Sequence, residues 1–348
     1  MNPSTLNFST GPVQTSQQVL AALASPPFSH RSNRFHQLYY DTTNYLCTQF
    51  NVERSYLLTG SGTAANEAML CQIKALGGKG LVLSNGEFGE RLIKQATRSS
   101  SLFREVAVPW GVQFDIPEIE TLFQQQEVKW ILFCHCETST GVVNDLESIV
   151  EVCKKNNCHC FVDCMSTVGT YSLDLSGVAM ATASSGKGLA SIPGLAIVFS
   201  NIEVFSSNNI PTYFDLSEYD RKNGVPYTIS SNLIYALNVA IKQKLQQVHF
   251  DLMDFFAQAC CTILNERCVL PFDNAQSKVF TISSPVSESN QILTHLRKEG
   301  IVFSDESEYL KRRNWCQVAL LGYYTSGELK FFLNTLQKSV TPVVPSWA

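Results

Sequence analysis

From about residue 55 to residue 200, short apolar runs alternate with stretches whose apolar residues recur every three or four positions. The runs 55–59, 81–83, 130–134, 160–163, 177–182 and 195–199 read as strands. Between them, 64–75, a segment from about residue 89, and 146–155 carry helical spacing. Strands alternating with helices predict an α/β unit, a mainly parallel sheet wrapped by helices, in which ligands bind beyond the carboxyl ends of the strands. From about residue 256 the order changes to strand (277–285), helix (289–299), strand (318–321) and helix (326–338), a small α+β unit. The chain divides on this reading into an N-terminal arm (1–15), a large domain (16–255) and a small domain (256–348), with a loose end over 342–348.

Composition narrows the classes. The 348 residues are 45% hydrophobic and 16% charged, enough for a large core, and the net charge is −4 with the 26 basic residues scattered. That is no footprint for nucleic acid or an anionic membrane surface. No stretch approaches the roughly 18 apolar residues of a membrane span, and the start has no signal-peptide pattern, so a cytoplasmic address is expected. Twelve cysteines raise the question of metal. Cys134 with Cys136, and Cys158 with Cys160, are two apart and read as small buried side chains on one strand face, without the spacing of a zinc knuckle. No metal site is expected.

Chemistry concentrates at the predicted strand ends. Asp163 closes the apolar run Cys160-Phe161-Val162, and Lys187 follows 24 positions later in the small-residue turn Ala183-Ser184-Ser185-Gly186-Lys187-Gly188. A lysine that can condense with an aldehyde and a buried carboxylate that can hold a proton on a ring nitrogen are the two groups pyridoxal phosphate chemistry requires. Gly60-Ser61-Gly62-Thr63, between a strand and a helix, offers backbone amides and a hydroxyl to a phosphate. Phe88, flanked by glycines in Asn85-Gly86-Glu87-Phe88-Gly89-Glu90-Arg91, could stack on a flat ring.

These stretches together resemble the class V aminotransferases. The resemblance is carried by Gly60-Ser61-Gly62-Thr63-Ala64-Ala65, Ser84-Asn85-Gly86-Glu87-Phe88-Gly89-Glu90-Arg91, His135-Cys136-Glu137-Thr138-Ser139-Thr140-Gly141 and Val162-Asp163-Cys164-Met165-Ser166-Thr167 with Lys187. Asn7-Phe8-Ser9-Thr10-Gly11-Pro12-Val13, Ser29-His30-Arg31 and Leu320-Leu321-Gly322-Tyr323 fit as well. Within the class, the look is nearest to 2-aminoethylphosphonate:pyruvate aminotransferases and more distant from alanine:glyoxylate aminotransferases. The resemblance implies fold type I with a seven-stranded sheet, pyridoxal 5'-phosphate as cofactor, and transfer of an amino group from a small amine or amino acid to a 2-oxo acid through a Lys187 aldimine. It implies that Asp163 pairs with the pyridine nitrogen and Phe88 stacks on the ring. Ser61, Gly62, Thr63 and Ser185 would serve the phosphate side, and Thr138 the ring hydroxyl. It further implies a homodimer with shared sites, Tyr227 and Thr228 reaching the partner's phosphate, and Gly11 and Arg31 near the substrate.

Two departures bear on the substrate. Where the family places an arginine that receives the substrate anion, this chain has Gln317, an amide that cannot make the charged two-pronged contact. Arg312 and Arg313, just upstream, could compensate. At Gly186 relatives carry an amide side chain that helps hold phosphate. The lyases and desulfurases of the same class, and a non-catalytic binding protein on the same fold, stay as alternative readings.

Overall fold

The computed structural model describes residues 5–264, 277–283 and 286–340. Seven strands form one sheet: β1 (Arg54–Thr59), β2 (Gly80–Ser84), β3 (Phe103–Ala107), β4 (Trp130–Cys134), β5 (His159–Asp163), β6 (Met180–Ser184) and β7 (Leu195–Ser200). Their spatial order is β1-β7-β6-β5-β4-β2-β3. β7 runs antiparallel to both its neighbours, and the remaining pairs are parallel. The sheet is therefore mainly parallel, with the carboxyl ends of β1, β2, β4, β5 and β6 along one edge.

Alternation along the strands sends side chains to two buried faces. Leu57, Leu81, Ile131, Val162, Ala181 and Ile197 join one apolar cluster, while Tyr56, Val82, Leu132, Phe161, Met180 and Val198 join another. Helices cover both faces, which is why these strands read as continuous apolar runs instead of alternating ones. β3 escaped the sequence reading for the opposite reason. It is an edge strand whose Arg104 and Glu105 are exposed, so it carries no apolar run.

Other boundaries moved. The strand expected at 177–182 is Met180–Ser184, because Gly177 and Val178 belong to a turn closed by the Val178 N–H donating to the Leu175 carbonyl at 3.0 Å. The strand expected at 318–321 is Cys316–Ala319; the buried polar Gln317 had interrupted the apolar run. It pairs antiparallel with Val279–Ile282, shorter than the expected 277–285, of which 284–285 lie outside the described residues. The expected helix start near residue 89 is at Glu87. The tail 342–348 also lies outside them.

A further apolar cluster brings Leu6 and Phe8 together with Met253, Phe256 and Leu264 of the helix Gln247–Leu264 and with Val318, Leu329 and Phe332. Phe8 stacks between Tyr324 and Phe332, with ring centroids 4.5 and 3.9 Å away. Leu6 and Phe8 thus sit in one core with these later residues, and Leu6–Asn7 pairs with Ile301–Val302.

Candidate active site

Lys187 is displayed by the ten-residue connection between β6 and β7, and that connection is tied down by its own first residue. The Ser185 hydroxyl donates to the Ile192 carbonyl at 2.6 Å and accepts from the Leu195 N–H at 3.1 Å, and the Ser185 carbonyl accepts from Ser191 N–H at 3.0 Å. Lys187 Nζ reaches into a cavity of about 690 Å³ at the carboxyl edge of the sheet. There it lies 3.4 Å from Ser166 Oγ and 5.1 Å from the centroid of the Phe88 ring. Enclosure lowers the pKa of this amine below the ordinary lysine value, with the nearby Asp163 charge opposing the shift.

Asp163, the last residue of β5, borders the same cavity while almost buried. Its Oδ1 accepts from the Met165 N–H at 2.9 Å and its Oδ2 from Asn66 Nδ2 at 2.7 Å; Asn66 Oδ1 in turn accepts from Thr182 Oγ1 at 2.6 Å. Burial pushes the Asp163 carboxyl up, and these donors together with Lys187 and Arg91 hold it down. One edge of the carboxylate is thereby held in place. Sequence reasoning did not single out Asn66; lying four residues after Gly62 on the helix Gly62–Leu76, it could have been found by asking what faces a strand-end acid.

Gly60, Ser61, Gly62 and Thr63 form the cavity wall where that helix begins. Ser61 stands at the N-cap, yet its side chain makes no capping hydrogen bond, which leaves the Gly62 and Thr63 amides and the positive end of the helix dipole for an anion. A Cβ at Gly62 would stand 2.4 Å from Met165 Sδ, so the end of the Met165 side chain would have to move aside.

Cys136 and Thr138 add a further part of the cavity wall. Thr138 Oγ1 and Ser166 Oγ are 2.6 Å apart, and Ser166 is the residue that reaches Lys187. Cys134 ends β4 but Cys136 belongs to a separate two-residue strand, so the two cysteines do not share one strand as expected. Both border the cavity as thiols, burial and nearby carboxylates pushing Cys136 up to about 12. Neither is poised as a thiolate nucleophile. Among the described residues no cluster of ligating side chains could hold a metal ion, and no helix is long and apolar enough to cross a membrane.

A scan against family models matches residues 6–208 to the class V aminotransferases. The chain belongs to that family. An uncharacterized aminotransferase of Methanocaldococcus jannaschii is 34% identical over 252 residues, 68% of this chain and 65% of the relative. A 2-aminoethylphosphonate–pyruvate transaminase of Pseudomonas aeruginosa is 31% identical over 226 residues, 62% of this chain and 61% of the relative. The matched stretch thus spans less than two thirds of either relative. Among solved structures, a subgroup IV aspartate aminotransferase from Thermus thermophilus superimposes with a TM-score of 0.84 at 23% identity, covering 96% of this chain and 99% of that one, a likeness of fold.

The residues expected around cofactor and substrate fall into two groups. Gly11, Ser61, Gly62, Thr63, Phe88, Thr138, Asp163 and Lys187 converge on the cavity. Ser185, Arg31, Tyr227, Thr228, Gln317, Arg312 and Arg313 are not among its lining residues. Ser185 braces the Lys187 connection. Tyr227 donates its hydroxyl to the Thr212 carbonyl at 2.9 Å and stacks on Tyr213, while Thr228 and Arg31 are exposed. Arg312 reaches Glu87 at 3.6 Å, and the Arg313 guanidinium lies 3.8 Å from the Trp110 ring centroid and 4.9 Å from that of Trp315. Neither lines the cavity, although Glu87, the partner of Arg312, does; Arg91, packed on Phe88 at 4.7 Å, lines it directly.

Gln317 is fully buried and fully used. Its Nε2 donates to the carbonyls of Thr138 and Ser139 and approaches Thr281 Oγ1, at 2.6, 3.1 and 2.8 Å, and its Oε1 accepts from the Tyr309 hydroxyl at 2.8 Å. In this member of the family the position is an interior tie between the Cys316–Ala319 strand and the Thr138 segment. Gly186 also has a local explanation. A Cβ there would stand 2.6 Å from Pro193 Cγ, so the ring of Pro193 takes the room a side chain would need.

The donor set fits pyridoxal phosphate. A phosphate cradle, a carboxylate with one edge fixed, an aromatic ring and an amine border one cavity, each at a separate position on its wall.

Proposed function

We propose that the chain is a pyridoxal phosphate-dependent transaminase that moves an amino group from a small amine or amino acid to a 2-oxo acid such as pyruvate or glyoxylate. The observation that carries the reading is the shared cavity of Lys187 Nζ and Asp163, flanked by the uncapped helix start at Ser61 to Thr63. When bound, the cofactor supplies a carbonyl that condenses with amines and a ring that spreads the negative charge left when a carbon-bound proton departs.

The residues divide the work. The amides of Gly62 and Thr63 and the hydroxyls of Ser61 and Thr63 bind the phosphate, and Phe88 covers one face of the ring. Asp163 keeps a proton on the ring nitrogen, its orientation set by Asn66 and the Met165 amide. Lys187 Nζ takes the proton from the donor's α-carbon and later returns one, and its lowered pKa makes the neutral amine accessible closer to neutral pH. Ser166 and Thr138 orient the amine and the ring hydroxyl.

The reading includes a symmetric homodimer in the cytosol. Arg31 and Thr228, exposed on their own chain and away from its cavity, are the residues that would serve a partner's site. The test is the visible and near-ultraviolet absorbance of cofactor-loaded protein, before and after mixing with 2-aminoethylphosphonate, alanine and neutral amines. A yellow band that bleaches with one donor supports the reading and names a half-substrate; a band that no donor bleaches counts against transamination. Replacing Lys187 by Ala should abolish the bleaching.

A further inference from the structure

Resting on the cofactor reading above, we propose that Glu137 is a positioning residue that fixes the Phe88 ring and the Thr138 hydroxyl as one unit against the cofactor. Its carboxylate is completely buried. Oε2 accepts from the Phe88 N–H at 3.1 Å and from the Gly89 N–H at 2.9 Å. Oε1 accepts from the Ser139 N–H at 3.1 Å and the Ser139 hydroxyl at 2.5 Å. The same hydroxyl oxygen accepts from the Glu87 N–H at 3.1 Å.

The helix Glu87–Arg98 has glycine at its N-cap and no local side-chain cap. Its first-turn amides are satisfied from a segment some fifty residues away in sequence, by an acid placed at the positive end of the helix dipole. A local serine or aspartate at the cap would satisfy a helix end without burying a carboxylate, which is costly unless every lone pair is used. What the distant acid adds is registration between the two segments that carry Phe88 and Thr138. Gly86 is part of the device: a Cβ there would stand 2.5 Å from Glu137 Cγ and 2.6 Å from Ser139 Oγ. Gln317 donates to the carbonyls of Thr138 and Ser139, and Thr281 to that of Ser139, which ties down the same segment independently of the acid.

The experiment is a double-mutant cycle on cofactor affinity, read by titrating apo-protein with pyridoxal phosphate and following the circular dichroism of the bound chromophore. Glu137→Gln keeps the volume but turns an NH₂ toward backbone donors. It is expected to weaken affinity by roughly tenfold or more and to change the dichroic band. Combined with Phe88→Leu, its effect should shrink, because the ring it positions is gone. Unchanged affinity and dichroism in folded Glu137→Gln, or strictly additive effects with Phe88→Leu, would overturn the proposal. If Glu137→Gln does not fold, Ser139→Ala, which removes one donor to the acid, takes its place in the cycle with the same criteria. Failure of the unmodified protein to bind pyridoxal phosphate would instead overturn the cofactor reading, and this proposal with it.

Discussion

Asn66 and Asp163 are joined by a 2.7 Å hydrogen bond from the side-chain amide to Oδ2, and Thr182 holds the other end of that amide. Three elements, the helix Gly62–Leu76, β5 and β6, thus meet at the acid proposed to face the ring nitrogen. Asn66→Ala would leave a buried carboxylate short of one donor, a change of about 1–3 kcal/mol. The expected outcome is a folded protein whose affinity for pyridoxal phosphate falls by roughly ten- to a hundredfold. Fluorescence or absorbance titration of the apo-protein measures it.

Position 317 separates two expectations. If an arginine there only restored the family's anion contact, Gln317→Arg would tighten binding of carboxylate-bearing donors. The four contacts of the buried amide predict the reverse: a longer, charged side chain cannot keep both the acceptor for Tyr309 and the three donor contacts. Gln317→Arg and Gln317→Leu should each lower stability by about 2–4 kcal/mol, seen as a drop in Tm. An arginine variant with unchanged Tm and a lower KM for alanine would contradict this.

Gly186 gives a third test. Introducing the family's amide as Gly186→Asn should loosen the cofactor and lower Tm, because the new Cβ meets Pro193. Gly186→Asn combined with Pro193→Ala should recover only part of the loss, because Pro193 Cγ goes but the backbone Cα, 2.9 Å from the new Cβ, stays. Thermal melts of the two variants, with and without cofactor, distinguish a steric cause from a missing phosphate contact.

How much of this was legible beforehand follows from the kind of signal each residue leaves. Lys187, Asp163 and the Gly60–Thr63 turn could be read because they sit where an apolar run stops, and that pattern survives in one dimension. β3 could not, since an edge strand with exposed Arg104 and Glu105 leaves no apolar trace. Asn66 and Glu137 lie within elements or motifs that were seen, but their roles depend on hydrogen bonds between residues far apart in the chain. Gln317 was read for the charge it lacks; its partners come from Thr138, Ser139, Thr281 and Tyr309, which no local pattern brings together.

Acid should act on a buried histidine that does not line the cavity. His249 stacks on Tyr323, and its Nε2 lies 2.8 Å from Lys244 Nζ, which also donates to the Gly322 carbonyl at 2.6 Å. Burial, followed by the charges of Lys244 and Lys278, pushes the imidazole from 6.5 down to about 3. Between those values the unfolded chain binds the proton and the native one does not, so His249 removes stability as pH falls from about 6.5 toward 3. His249→Gln retains an acceptor without titrating. Its Tm should decline less than that of the unmodified protein between neutral and mildly acidic pH; parallel declines would refute the assignment.

The antiparallel β7 sets a limit on how this molecule can move. Because β7 returns between β1 and β6, both ends of the connection bearing Lys187 are sewn into adjacent ladder positions, and the Gly194 carbonyl accepts from the Gly60 N–H at 2.9 Å beside the phosphate turn. With the Ser185 hydroxyl joining its first residue to Ile192 and Leu195 at the far end, the backbone there is held at both ends. Any proton delivered by Lys187 would then be carried by rotations within its own side chain, and no movement of this connection would limit the pace of turnover.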